Sequence, residues 1–336
     1  MKNCLIVFFA LFIVSTVLPS CSQSYLSHEE IVSSMTDTKS ASLQKSSMSD
    51  EEMRRRSNLI PLKDLFGDKL DELEKKKKDK NIKANNLTEE KERKGADLRG
   101  RDTPIKSQWN GTCTTFAGVG AIENILNRPS TLDLSERDSW SKYGKYSCSA
   151  FVSALSKEGN EICREQDWSQ NSTVPKSSCS SNRNWRLGET KYIGDNISAA
   201  LDALDRGSVV YIGMQTPEDM LSCRSVIRTN TSFSNGGHAL SIVGYQMDSR
   251  IEGGGYFIIK NSWGSRCGDQ GYQYVPFHIC NRSDGYCIMW EFKTVIEKSG
   301  GNPDNTDDEY KWVYSCKRLW YTLWIVKKCD WIKVKV

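Results

Sequence analysis

Cys113 opens a run of small and apolar residues that continues to Leu126, while the side chains able to make its thiol react lie far down the chain. His238 follows after 125 residues and Asn261 after 148. Any fold that uses the three together must close loops of that length on one point. The choice of base is narrow, because the chain has 3 histidines. His28 falls in a polar N-terminal stretch and His278 in a late hydrophobic and basic one. That leaves His238, in Asn235-Gly236-Gly237-His238-Ala239-Leu240. Phe116, Val119 or Gly120, and Glu123 recur at helical spacing, so the run is expected to form a buried helix with the cysteine near its start. There the partial positive charge of the helix terminus and a neighbouring imidazolium both favour thiolate over thiol. A lone cysteine is more often a small buried hydrophobe or half of a disulfide; the ordered set singles this one out.

Four segments, in order, resemble the papain family: Thr103-Pro104-Ile105-Lys106-Ser107-Gln108; Gly111-Thr112-Cys113; Gly237-His238-Ala239 with Val243-Gly244-Tyr245; and Ile259-Lys260-Asn261-Ser262-Trp263-Gly264 followed by Gly271-Tyr272. The resemblance covers about residues 96 to 296, and the separations of His238 and Asn261 from Cys113 are close to the roughly 130 to 150 residues of such enzymes. It implies an α+β, papain-like fold of two subdomains, a helical half with the nucleophile and a β-rich half with the histidine and asparagine, with the active-site cleft between them. It also implies roles. Cys113 would be the nucleophile, and His238 would share its proton and pass it to the leaving amine. Asn261 would hold the ring, an amide being enough because the thiolate already balances the imidazolium. Gln108 would join the Cys113 backbone N–H in binding the oxyanion, a donor typically worth ~10²–10³ in rate. Trp263 would shield the histidine–asparagine bond from water.

The chain also departs from the family pattern. Asn110 stands where the family has a disulfide-bonded cysteine, and Gln108 is one residue closer to the nucleophile than usual. Thr114 replaces an aromatic residue, and the glycine pair that lines the cleft is not recognisable around Gly144-Lys145-Tyr146-Ser147-Cys148-Ser149. These changes bear on the subsites and the efficiency rather than on the reaction class.

Lys2, an apolar run from Leu5 to Leu18, and Pro19-Ser20-Cys21-Ser22 read as a secretory signal peptide over residues 1–21, too short for a spanning helix. Leu18-Pro19-Ser20-Cys21 also resembles a bacterial lipobox, which would lipidate Cys21 and attach the protein to a membrane. The alternative is ordinary cleavage beside an incidental cysteine. Either way the destination is secretion or the cell envelope. Residues 22–95 pass from a Ser-rich stretch to Arg54-Arg55-Arg56, a stripe of Leu62, Leu65, Phe66, Leu70 and Leu73, and a lysine-rich run to Lys94. Their position suits a pro-region whose apolar stripe covers the cleft; a solvated linker is the alternative, since the usual propeptide signature is not recognisable. The lysines have no aromatic residues among them, and a net charge of +4 is too small to argue for nucleic acid.

Of the 12 cysteines, Cys4 leaves with the signal and Cys21 lies at its junction. Ten remain from Cys113 onward, so with Cys113 free an odd number is left, and at least one further thiol or an intermolecular bond is expected. The density fits an oxidising compartment. A zinc site at Cys280 and Cys287 is disfavoured by the lack of any Cys-x-x-Cys pair and by a single nearby imidazole, His278. No metal or other cofactor is expected. Residues 299–336 read as a linker and a Trp/Lys-rich tail, with Trp312, Trp320, Trp324 and Trp331 in strand-like alternation and Cys316 and Cys329 able to staple a hairpin. The tail either packs on the catalytic domain, residues 96–298, or holds substrate, envelope polymer or a partner.

The whole reads as an exported cysteine endopeptidase, monomeric, that acts on protein or peptide substrates through a Cys113 thioester. Two other readings stay open. One is a catalytically weak or inactive homologue that binds a partner; the other is a papain-fold acyltransferase or amidase.

Overall fold

The computed structural model describes residues 24–36, 49–80, 93, 95–144, 146–172, 183–299, 309–321 and 324–335. Four helices come first, α1 (His28–Thr36), α2 (Asp50–Ser57), α3 (Leu62–Phe66) and α4 (Lys69–Lys80), with the strand β1 (Ile60–Pro61) before α3. After β2 (Ala96–Asp97) comes a helical part, α5 (Cys113–Leu126), α6 (Glu136–Tyr143) and α7 (Cys148–Ser156). Strands dominate the remainder: β3 (Arg183–Leu187), β4 (Thr190–Gly194), β5 (Val209–Pro217), β6 (Phe233–Met247), β7 (Gly255–Lys260), β8 (Tyr272–Pro276), β9 (Cys287–Phe292) and β10 (Val295–Ser299). Between them lie α8 (Ile197–Asp205), α9 (Glu218–Leu221) and α10 (His278–Asn281). β11 (Glu309–Tyr321) and β12 (Trp324–Lys335) follow.

The main sheet is antiparallel in the order β4-β9-β5-β6-β7-β8, with β1 and β2 also paired to β6. A smaller sheet runs β12-β11-β10-β3. It crosses the boundary that the sequence suggests at 298, because β10 continues to Ser299 and pairs with both β3 and β11.

α5 lies against β5 and β6, and all 14 of its residues are buried. Most of its run is apolar, as suits a helix enclosed by protein, and the buried Glu123 and Asn124 have polar partners. Gly118 lets α7 close on it, since a Cβ there would run into the Phe151 ring. Ser241 on β6 donates to the Ala117 carbonyl at 2.7 Å and ties the helix to the sheet. Asn127, at φ 51°, ends the helix in the left-handed conformation. α6, α7 and α8 are capped by Ser135, Ser147 and Asn196, whose side chains accept from the third amide of the helix and so satisfy a donor that has no partner within it. The result is the α+β arrangement implied by the resemblance, with α5–α7 on one side and the antiparallel strands on the other.

The segments that precede the body are docked on it at two places. Ile31, Val32 and Met35 of α1 are buried, His28 bonds Asp248 at 2.9 Å and Tyr256 at 3.0 Å, and Glu29 pairs with Arg250 through both oxygens at 2.9 Å. Just before α1, the Leu26 amide donates to Asp269 at 2.8 Å and Arg99 lies over the Tyr25 ring at 3.9 Å. Further along, Arg55 donates to the Leu221 carbonyl at 2.8 Å and Arg56 grips Glu218, so two of the three arginines bind α2 to α9. Ile60 and Pro61 then pair with Gly237 and Gly236, and Leu65, Phe66 and Leu73 are buried.

Disulfides join Cys223 to Cys267 and Cys280 to Cys287, and Cys163 is also disulfide-bonded. The pair considered for zinc is thus a disulfide. Cys113 and Cys148 are free and buried, so Cys148 is a further thiol of the kind the odd count calls for; the Tyr211 hydroxyl donates to its sulfur at 3.6 Å.

Candidate active site

The N-terminus of α5 meets the middle of β6, and this junction brings together the residues expected from the sequence. Cys113 is the first residue of α5 and is fully buried. Its Sγ accepts the Ala239 N–H at 3.3 Å, which places the sulfur against the residue that follows His238. His238 is held in β6 opposite Met214 of β5. Its Nε2 lies 2.9 Å from Asn261 Oδ1, so an Nε2–H donates to the asparagine. Asn261 follows the end of β7 and is fixed in turn: its Nδ2 donates to Gln273 Oε1 at 2.7 Å, and its Oδ1 also accepts the Ser262 N–H at 2.6 Å. The Trp263 ring stacks on the imidazole at 4.4 Å between centroids and 13° between planes. It closes the histidine–asparagine bond on one side.

Gln108 reaches the same place from the strand-like segment before α5. Its N–H donates to the Ser262 carbonyl at 2.8 Å, and its Oε1 accepts the Ser262 hydroxyl at 2.6 Å. With the oxygen so held, Nε2 is buried and has no hydrogen-bond partner. A buried amide donor left unpaired costs stability, and such orphans are expected where a group waits for a ligand. The shortened spacing between Gln108 and Cys113 therefore still leaves a donor free at this junction.

The ionisation of the site differs from the sequence expectation of a resting thiolate. Burial pushes the Cys113 thiol up to about 12, against the pull of the amides of Ala239, Thr114 and Cys113 itself. Burial likewise pushes His238 down to about 4, and its bond to Asn261 offsets this only in part. In this enclosed setting the cost of creating a thiolate and an imidazolium is high, so burial favours the neutral form of each group. The segment around β1 and α3 contributes to that burial. A Cβ on Gly237 would collide with Leu65, and one on Gly236 with Leu59. These glycines admit a covering strand directly beside His238.

Two features of the site escaped the sequence reading. Gln273 carries no motif of its own and is found only by following Asn261. Lys106, inside a quoted segment but without an assigned role, anchors an ion cluster beneath α5: its Nζ lies 2.8 Å from Glu136, 2.6 Å from Asp133 and 3.4 Å from Glu123. Burial works against the Lys106 charge, but the three carboxylates outweigh it and hold its pKa well above the ordinary lysine value. Lys106 lies two residues before Gln108 in the chain.

The model of the papain family cysteine proteases matches residues 93–291. Peptidase 1 of Dermatophagoides pteronyssinus is 27% identical over 198 residues, covering 53% of this chain and 58% of that protein. Falcipain-3 of Plasmodium falciparum is 27% identical over 193 residues, covering 52% of this chain and 39% of that one. The chain thus spans about half the length of these two relatives. Zingipain-2 of Zingiber officinale is 27% identical over 226 residues, 60% of this chain and 95% of its own. Among solved structures, xylellain, a cysteine protease from Xylella fastidiosa, superposes with a TM-score of 0.48 at 19% identity over 60% of this chain and 86% of that one.

Proposed function

Because the chain belongs to the papain family of cysteine proteases, we propose that it is an exported endopeptidase, secreted or held in the cell envelope, that cleaves proteins or peptides through a Cys113 thioester. The observation that carries this reading is the constellation of Cys113 Sγ on the Ala239 amide, His238 on Asn261, and a buried Gln108 amide with nothing to bind. Once the cleft is open to water, the thiol passes its proton to His238 and the sulfur attacks the carbonyl carbon of the scissile bond. Gln108 Nε2 and the Cys113 N–H donate to the oxyanion. The C–N bond breaks as His238 returns the proton to the departing amine, leaving a thioester. Water, giving its proton to His238, then attacks the thioester; the acid leaves and the proton goes back to the sulfur. Asn261 and Trp263 keep the ring aligned through both halves.

Residues 22–95 act in this reading as an inhibitory pro-region, supported by the pairing of Ile60 and Pro61 with the two glycines before His238. The test is alkylation by an epoxide inhibitor of cysteine proteases, mapped by peptide mass, on residues 22–336 and on residues 96–336. Labelling of Cys113 in the shorter form, lost on His238→Ala, is expected. A folded short form that takes no label would refute the peptidase reading.

A further inference from the structure

Residues 309–335 take no part in the site, yet they concentrate the charge of the chain. They hold seven lysines and arginines against two acids, a net +5 in a chain of net +4, so everything else is nearly neutral. The backbone turns this composition into a ladder. β11 and β12 pair without interruption from Tyr310↔Lys335 to Tyr321↔Trp324. Among the described residues, β11 pairs with the body at its base alone, where Glu309, Tyr310, Lys311 and Trp312 pair with residues 295–298 of β10. Residues 313–321 pair with β12 alone among the described residues. At about 3.4 Å per residue, the paired stretch past that base is roughly 30 Å long.

The rungs are ordered by chemistry. From the far end they are Tyr321↔Trp324, Trp320↔Ile325 and Leu319↔Val326, all uncharged and mostly large, then Arg318↔Lys327 and Lys317↔Lys328, then Cys316↔Cys329. Like charges directly across an antiparallel pair destabilise it, and here two such rungs are consecutive. A surface of negative charge at that level would reverse the penalty. The three rungs beyond span about 10 Å, comparable to the roughly 5–10 Å to which interfacial elements sink between headgroups and acyl chains. Trp and Tyr are the residues that settle at that boundary. A soluble polyanion would explain the cations but gives no reason for an uncharged end placed ahead of them.

We propose that the β11–β12 hairpin docks this protein on anionic lipid bilayers, its three apolar rungs entering the interface and its two cationic rungs meeting the phosphates. This does not depend on the peptidase reading, nor on lipidation of Cys21. The test uses residues 22–336 with vesicles of phosphatidylcholine alone and vesicles that also contain phosphatidylglycerol, read by co-sedimentation and tryptophan fluorescence. Binding to the anionic vesicles with a blue-shifted emission is expected, and little binding to the neutral ones. At about five-fold in partitioning per basic residue, Lys317→Ala with Arg318→Ala should weaken it about 25-fold. Lys317→Arg with Lys328→Arg should keep it, which separates loss of charge from a hairpin that no longer forms. Trp320→Ser with Trp324→Ser should abolish the blue shift and most of the binding. No binding to anionic vesicles overturns the proposal. So does binding that ignores the tryptophan changes but is matched by soluble heparin, an outcome that marks a polyanion site instead.

Discussion

Replacing Leu65 by alanine is expected to uncover the cleft without touching any residue of the site. Leu65 is fully buried and, with Leu62, lies against Gly237, next to the pairing of Ile60 with the same glycine. Alanine removes three carbons, worth about 2.4 kcal/mol at about 0.8 kcal/mol each. The cavity left in the covered state adds to this, so the figure is a lower bound. At about 1.4 kcal/mol per tenfold, the fraction of molecules with an open cleft rises roughly 60-fold or more. The assay is the second-order rate of Cys113 alkylation by the epoxide inhibitor in residues 22–336, which should climb by that factor toward the rate of residues 96–336. Leu65→Met, which keeps the volume, should stay within a few-fold of wild type. A folded Leu65→Ala chain that alkylates no faster than wild type would show that this segment does not control access to the thiol.

Acid should lift the same segment in a Cys113→Ala chain, where His238 titrates alone. Burial holds the ring at about 4 against an ordinary 6.5, so the stability of the covered state is full above about pH 6.5 and is lost, by up to tenfold per unit, as pH falls toward and through 4. Amide exchange protection at Ile60 and Leu65 measures this, and protection that ignores acid contradicts it; in the wild type, where proton transfer from Cys113 charges the ring without uptake, the dependence should be shallower. Gln108→Ala should lower kcat/KM on a peptide substrate by ~10²–10³ while leaving epoxide alkylation of Cys113 within a few-fold, whereas equal losses in both would make Gln108 merely structural. Lys106→Met should destabilise the fold by about 3 kcal/mol, because it strands Glu123 and Glu136 in the interior without a cation; an unchanged unfolding midpoint would argue against that cluster.

The parts of this molecule that could be read from sequence are those written locally. The helix from Cys113 to Leu126 is mostly small and apolar, and the motifs around His238 and Asn261 each fit within a few residues, so neither needs a distant partner to be recognised. What stayed hidden depends on contacts far along the chain. His28, dismissed as a base for its polar surroundings, is bonded to Asp248 across 220 positions. Arg54-Arg55-Arg56 carries no local signal of a partner, yet Arg55 and Arg56 reach α9 more than 160 positions away. The helix terminus argued for a thiolate, but that argument holds only where water reaches the sulfur. Cys113 is enclosed, and desolvation dominates.

The dock of α1 separates two events that are usually treated as one. A cut between residues 81 and 92 would sever the N-terminal segments from the body covalently. The handle formed by His28, Glu29 and the buried Ile31, Val32 and Met35 would remain seated beside β7. Through it β1 and α3 would stay near the cleft, at the ~millimolar effective concentration that tethering typically provides. In the proposed pro-region role, scission at that point would change the connectivity of the chain without lifting β1 from Gly236 and Gly237. Dilution, the step that makes release irreversible, begins only when the stretch between α1 and α2 is cut as well.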